Sequence, residues 1–582
     1  MLTKKGMIAI YLRGDTMKFA QTAPMLAAAL MLVTPAVQAE KKLRNKPLQL
    51  RLLEATDARD ASNGVFDEAF KAGKLDSLAM RGQIGGDACE ALIPSLRSSN
   101  ADIRTAAAKG AQLCHDTKLS SVLLGQLQGK SVKEQSAFAR ALGFSGAEDA
   151  RQVLAELVAG EATSSETKTA ALYALMQNIV YAGVKANDVA GLDAEVLLGL
   201  LQNDTHQYAA AYLLARLRSL PDFMSSENLS AALGARLDKG EGLSQDDVPT
   251  TRLLVRLARE WGDTHYELLV RAAASHDRSI RHEAIGSFGR LSNIASRDFL
   301  LDQLAEATDP AVRHLAIDAI GRRSAADIDL VETLERYIDD ENGWVATTAL
   351  RWLGQREPEA ANKVAAKWLA GKDYYQAFQA LQALVGSDAG KEILQAYADA
   401  NPNTVRGFEA AVALDPSIEA ITKARPTPSQ ANVRAYAGRE LVLETTRGNI
   451  CMVATGDTPY ATTNFFKLAD VGKMDGMLWH RVIPNFVTQA GQIEDRSLAN
   501  WGSIREEWGG EHRIGTVGVA TAGRDTGTTQ FFINTAYNMH LNDRYTVFAK
   551  VITGMDVVYD LQEGDVISKA YTEKADSAVC KQ

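Results

Sequence analysis

The sequence predicts a multidomain chain of α and β parts: an all-α region followed by a β-rich C-terminal domain. Three observations carry this. The length of 582 residues exceeds what a single hydrophobic core organises. From about residue 45 to 415, apolar residues, mostly Ala and Leu, recur at steps of three and four, the period of a helix face. From 439 to 582 the pattern changes. Residues 441–453 alternate and turn at Arg447-Gly448, which reads as a β-hairpin, and Gly-rich turns follow at 475–477, 509–510 and 523–527.

The helical region repeats itself. Asp102-Ile103-Arg104-Thr105-Ala106-Ala107 is echoed by Ser279-Ile280-Arg281-His282-Glu283-Ala284 and by Asp309-Pro310-Ala311-Val312-Arg313-His314. The steps from Ile280 to Val312 and from Val312 to Val345 are 32 and 33 residues. Ser131-Val132 and Thr205-His206 open weaker copies. An Asp or Asn before each copy suits a helix N-cap, and Ile320-Gly321 and Leu353-Gly354 suit a left-handed helix stop. A helix pair cannot bury its apolar face alone, so pairs stack into a solenoid. The pattern resembles HEAT-like repeats; a generic helical bundle is the other reading. Arg281, Arg313 and Arg351 recur and read as a structural ladder, the alternative being a groove for an acidic peptide. Trp344, Trp352, Trp368, Tyr374, Tyr375 and Phe378 crowd the last copies, as core or as a surface for the C-terminal domain.

Composition narrows the function classes. Hydrophobic residues make up 46% and charged residues 23%, ordinary for a globular protein. A net charge of −9 and the absence of a basic arm argue against a nucleic-acid partner. The nine His and four Cys show neither Cys-x-x-Cys nor paired His spacing, so no metal site is expected.

Residues 1–39 read as a secretory signal, with Met17 as an alternative start. Lys18 precedes the apolar run Met25-Leu26-Ala27-Ala28-Ala29-Leu30-Met31-Leu32-Val33, and Val37-Gln38-Ala39 ends it. The run is short for a membrane span, so no stable insertion is expected after cleavage. The expected location is outside the cytoplasm: periplasmic, or secreted, or anchored by an uncleaved signal. An exported chain permits disulfides. Cys89 and Cys114 fall on consecutive predicted helices and either pair or remain buried thiols. Residues 416–438, with Pro426 and Pro428 and no apolar period, read as an extended linker.

The chemistry concentrates in residues 479–492. Here Phe486 and Val487 can build a dry wall, and Arg481 and Gln489 can stand over it. A greasy slot beneath a fixed guanidinium suits a proline ring whose amide must be polarised. Three further blocks follow: Gly518-Val519-Ala520-Thr521-Ala522-Gly523, Thr529-Gln530-Phe531-Phe532-Ile533-Asn534, and Leu541-Asn542-Asp543-Arg544-Tyr545-Thr546-Val547-Phe548. In this order and spacing they resemble the cyclophilin-type peptidyl-prolyl isomerases, over roughly 440–582.

The resemblance implies a closed eight-stranded antiparallel barrel with two helices. It implies Arg481, Phe486 and Gln489 as catalytic residues, and Val487, Ala520, Thr521, Gln530, Phe532, Leu541 and Tyr545 as the substrate-binding surface. No cofactor is implied. It also brings the terminal strands together, so that Cys451 and Cys580 bridge; two buried thiols are the alternative. The pattern departs at Val487, where methionine is usual, at Thr521, where asparagine is usual, and at Tyr545, where many members carry histidine. His540 stands where cyclosporin-sensitive members have tryptophan. No role is read for Trp501, Trp508 or His512. The expected function is isomerisation of X–Pro bonds in exported proteins, with the array binding a protein partner. The alternative is a non-catalytic proline-peptide scaffold or chaperone.

Overall fold

Capping residues set where each helix of the array begins. Asp277 accepts from the backbone N–H groups of Ser279 and Ile280 ahead of helix Arg278–Ser287. Asp309 accepts from Ala311 ahead of Pro310–Arg322, and Asn342 from Trp344 and Val345 ahead of Gly343–Arg356. Each satisfies amides that a helix start leaves unpaired. In the computed structural model these helices belong to a continuous array running from Leu48–Asp57 to Val405–Leu414. The structure describes residues 47–185, 189–217, 220–323, 330–420, 436, 438–495, 501–574 and 580. The expected signal at 1–39 lies outside them, as does most of the expected linker; of the latter, Pro416–Ala420 is a 3₁₀ turn.

The glycines expected to stop helices do something else. Gly321 and Gly354 lie inside their helices, not in the left-handed region. A Cβ on Gly321 would sit 2.2 Å from the Trp352 ring, and one on Gly354 would sit 3.2 Å from Ala383. Gly143 against Ala174 and Gly289 against Ala319 repeat the arrangement. These glycines are notches through which the helix of the next pair approaches. The arginines hold neighbouring turns: Arg281 donates to Ser275 O at 2.9 Å, Arg313 to Leu304 O at 3.2 Å and Arg351 to Asp318 at 3.0 Å.

Among the described residues, the C-terminal domain builds one antiparallel sheet from β1 (Arg439–Thr445), β2 (Gly448–Ala454), β3 (Leu478–Ile483), β4 (Val487–Gln492), β5 (Thr516–Val519), β6 (Phe531–Asn534), β7 (Val547–Thr553) and β8 (Ile567–Lys574), in the order β3-β4-β6-β5-β7-β2-β1-β8. The sheet curls but is not the closed barrel expected. Its edge strands meet at one bridge, Leu478 to Val566, with backbone bonds such as Trp479 N to Asp565 O at 2.8 Å. Farther along β8, carboxylates take the place of a strand. Asp475 accepts from Ala570 N at 2.8 Å and Asp470 from Thr572 N at 3.1 Å.

Phe465, Trp479, Phe531 and Phe548 fill the curl, Phe465 stacking on Phe548 at 4.4 Å. Two helices flank it, Pro459–Asp470 and Met555–Asp560. The first has Thr458 at its N-cap without a side-chain cap bond; Glu507 instead accepts from the amides of Tyr460 and Ala461 at 3.1 and 3.0 Å. Cys89 is bonded to Cys114 within the array, and Cys451 on β2 is bonded to Cys580. No described helix is long and apolar enough to cross a membrane.

Residues 48–582 form one unit, and the sheet domain lies along the array from Leu53 to Glu409. Contacts near the start are Arg59 with Asp525, and His115 stacked on Trp508 at 4.8 Å. In the middle, Tyr208 donates to Tyr537 O at 2.8 Å and Asn485 to Ser279 O at 2.8 Å. At the end, Arg406 pairs with Glu494 at 2.8 Å. Trp344, an array residue, is buried in the sheet's own hydrophobic cluster. The crowded aromatics thus divide, with Trp344, Tyr374, Tyr375 and Phe378 facing the sheet domain.

Candidate active site

Strand register assembles the site. Arg481 on β3 stands opposite Gln489 on β4, Gln489 opposite Phe532 on β6, and Phe532 opposite Gly518 on β5. One cross-strand row therefore runs from a cation through an amide to an aromatic ring. Gly518 at its end is required by space: a Cβ there would lie 2.4 Å from Phe532 Cζ.

Val487, Phe532 and Leu541 form a small buried cluster, with Phe486, Ala520 and Tyr545 packed around it. It is separate from the main core of the sheet. Arg481 stands over it, its guanidinium carbon 5.8 Å from the Phe486 ring centroid. Its Nη1 donates to Gln489 Oε1 at 3.2 Å, and Gln489 Nε2 donates to Gln530 Oε1 at 2.9 Å. Desolvation lowers the Arg481 pKa, against the opposing fields of Glu563 and Tyr545. Thr521 donates to Glu506 at 3.3 Å. Burial, reinforced by Asp525, pushes the Glu506 carboxyl up to about 7. The structure thus brings Arg481, Phe486, Val487, Gln489, Ala520, Gln530, Phe532, Leu541 and Tyr545 to one slot, with Thr521 next to Ala520 along the chain.

Three supporting residues were not legible as such. His512, fully buried, stacks on Phe532 at 5.5 Å. Its Nε2 faces Tyr545 O at 3.2 Å and its Nδ1 faces Asn534 Nδ2 at 3.2 Å, which fixes the Nε2–H tautomer. Burial lowers its pKa to about 4. His540 stacks on Phe486 at 5.6 Å and accepts at Nδ1 from Tyr212 Oη at 2.6 Å and Arg216 at 3.0 Å, so the array closes the slot's rim. Glu563, buried behind β3, accepts from Val482 N at 3.1 Å and from Tyr375 Oη at 2.9 Å. Lone histidines and a glutamate in irregular segments carry no periodic signal; only their contacts reveal them. Trp501 donates to Asn464 at 2.9 Å, and Trp508 docks on the array.

An apolar cluster with a hydrogen-bonded guanidinium over it is the arrangement that the sequence motifs imply. The comparisons agree. The family of cyclophilin-type peptidyl-prolyl cis-trans isomerases matches residues 441–579, and HEAT repeats match 297–384. Over 119 residues the chain is 40% identical to peptidyl-prolyl cis-trans isomerase B of Bacillus subtilis, covering 20% of this chain and 83% of that protein. It is 36% identical over 140 residues to a peptidyl-prolyl cis-trans isomerase of Helicobacter pylori, covering 23% and 83%. A Synechococcus elongatus isomerase is 36% identical over 136 residues, covering 22% and 92%. The chain belongs to the cyclophilin-type peptidyl-prolyl cis-trans isomerases, its catalytic domain following an array that contains HEAT repeats.

Proposed function

We propose that Arg481 is the catalytic donor and that the natural substrates are proline-containing segments of exported proteins. The X–Pro bond resists rotation because the nitrogen shares its lone pair with the carbonyl, a barrier of about 18–20 kcal/mol. As the bond twists, the nitrogen becomes pyramidal and basic, and a guanidinium donor held beside it stabilises that geometry more than either planar isomer. Phe486, Val487, Phe532 and Leu541 hold the ring by burial. Gln489 fixes the guanidinium, while Ala520 and Thr521 lie along the peptide backbone. No covalent intermediate and no cofactor enters. The observation that carries this reading is the Arg481–Gln489 bond set over the separate apolar cluster.

Arg481→Ala tests it on a proline peptide, with turnover and binding measured separately. Loss of turnover with binding retained supports the donor role. Unchanged turnover refutes it, and a wild-type protein that binds without accelerating isomerisation is the scaffold of the alternative reading.

Export is supported by the apolar run before Glu40 and by the two disulfides, which persist in oxidising compartments. Cell fractionation with N-terminal sequencing of the mature chain tests it. Much of one array face is taken by the chain's own sheet domain, so a protein partner would use the remaining surface. Crosslinking of the full-length protein in its native compartment would identify that partner.

A further inference from the structure

The slot is joined to the end of the array by an unbroken chain of side chains. Arg481 Nη1 donates to Gln489 Oε1 at 3.2 Å, Gln489 Nε2 to Gln530 Oε1 at 2.9 Å, and Gln530 Nε2 to Gln492 Oε1 at 3.5 Å. Gln492 Nε2 then donates to Glu409 Oε1, on helix Val405–Leu414 of the array. Every amide in this chain points the same way, giving a hydrogen toward Glu409 and an oxygen toward Arg481. A terminal carboxylate can only accept, so it imposes that direction on Gln492, and each glutamine imposes it on the next. A glutamine turned the other way at 489 would face the guanidinium with its NH₂, donor against donor.

We propose that Glu409 is a positioning residue for the isomerase: from the last helices of the array it sets the orientation of three successive glutamine amides and thereby holds Arg481 in place over the proline slot. The proposal rests on the reading of Arg481 as the catalytic donor. Glu409 touches no substrate and acts through Gln492, Gln530 and Gln489.

The surroundings of Glu409 suit this task. Tyr374 Oη also donates to its Oε1, at 2.6 Å, and Gln492 Nε2 reaches Tyr374 Oη at 2.9 Å. Its other oxygen, Oε2, is buried without a hydrogen-bond partner among the described residues. The charged and titratable groups facing it are Tyr374 from helix Tyr374–Leu384, Arg406 from its own helix, and Glu494 from the segment after β4. Desolvation raises the Glu409 pKa to about 7, Glu494 adding to the rise while the bonds from Tyr374 and Gln492 and the field of Arg406 oppose it. Ionisation strengthens the acceptor at the head of the chain, because hydrogen bonds to charged groups are stronger than neutral ones. The amide orientation should therefore tighten as pH rises through about 7.

The experiment uses the full-length protein and a proline peptide, with kcat and KM measured from pH 5.5 to 8.5. Glu409→Leu removes the acceptor, and Gln492→Met cuts the chain from the sheet side. Each should lower kcat about five- to twentyfold with KM nearly unchanged. Glu409→Gln keeps a carbonyl acceptor and cannot ionise. It should hold kcat within about threefold of wild type at pH 7 and abolish the wild-type rise across neutrality. A merely structural role for Glu409 would not move that pH step. Gln492→Met decides the matter if Glu409→Leu does not fold. Wild-type kcat and an intact pH step in the foldable variants, alongside collapse in Arg481→Ala, overturn the relay and leave the donor reading standing. Wild-type turnover in Arg481→Ala overturns both.

Discussion

Gly518 lies directly under the ring of Phe532, so close that a single added carbon would stand 2.4 Å from Cζ. The floor of the apolar slot therefore depends on a missing side chain two strand positions from Ala520. Gly518→Ala should tilt Phe532 against His512 and fill part of the slot. We expect a destabilisation of about 1–3 kcal/mol and a rise in KM larger than the fall in kcat. Peptide titration together with denaturant unfolding checks both, and an unshifted KM would mean that Phe532 does not line the substrate's seat.

Tyr212 belongs to the array, yet its hydroxyl holds the His540 ring that stacks on Phe486. Tyr212→Ala should free that ring and loosen the rim. The expected result is KM raised about three- to tenfold with kcat little changed, the signature of lost uniform binding. Steady-state kinetics on the folded variant decides whether the array shapes the slot.

The Cys451–Cys580 bridge fastens the chain's last described residue to β2 across a separation of 129 residues. Cys451→Ser, or reduction, should cost about 2–5 kcal/mol of stability. Arg481 and Gln489 lie on other strands, so the folded variant should retain its turnover. Calorimetry with and without reductant measures the first, and a peptide assay at low temperature the second.

Glu506 is a carboxyl whose folded-state pKa, about 7, exceeds its ordinary value of 4.5. Below 4.5 it is protonated in both folded and unfolded chains and contributes nothing. As pH rises toward 7 the unfolded chain releases the proton first, so stability falls and the full penalty stands above 7. Glu506→Gln should therefore be more stable than wild type by about 1–3 kcal/mol at pH 8, the gain vanishing near pH 4.5. The buried histidines His115, His480 and His512, lowered to about 4, act with the opposite sign between 4 and 6.5. They cancel in the comparison of variant with wild type. A pH-independent difference would show that Glu506 is not desolvated.

Periodicity and register explain how much the sequence told. Arg481, Gln489, Phe486 and Val487 stood out in one short stretch, but Phe532, Leu541 and Tyr545 were legible only through the family resemblance, since strand alternation alone places such apolar residues in the core. Helix caps at Asp309 and Asn342 were legible, since a cap is a local device. What failed was non-local. Gly321 read as a helix stop because a glycine near a helix end usually is one, whereas Trp352, one repeat later, is what requires it. The first amides of helix Pro459–Asp470 are held by Glu507, a distant carboxylate, and not by the side chain of the neighbouring Thr458. The barrel expected from the resemblance stays open because Asp470 and Asp475 occupy hydrogen bonds that a partnering strand would have made. Of the long seam between array and sheet, only the crowded aromatics near its end, Trp344 to Phe378, gave a sign, and they left core and surface undecided.

That seam bears on how the polypeptide comes into being. Trp344 emerges more than a hundred residues before Phe531, Phe548 and Leu561, the side chains with which it shares a cluster. Early in synthesis the array presents a greasy flank with nothing on it, and the catalyst arrives last to cover it. Cutting at residues 416–438 would strand an indole in water on one fragment and open a hole in the other. Neither half is a faithful stand-in for the intact molecule.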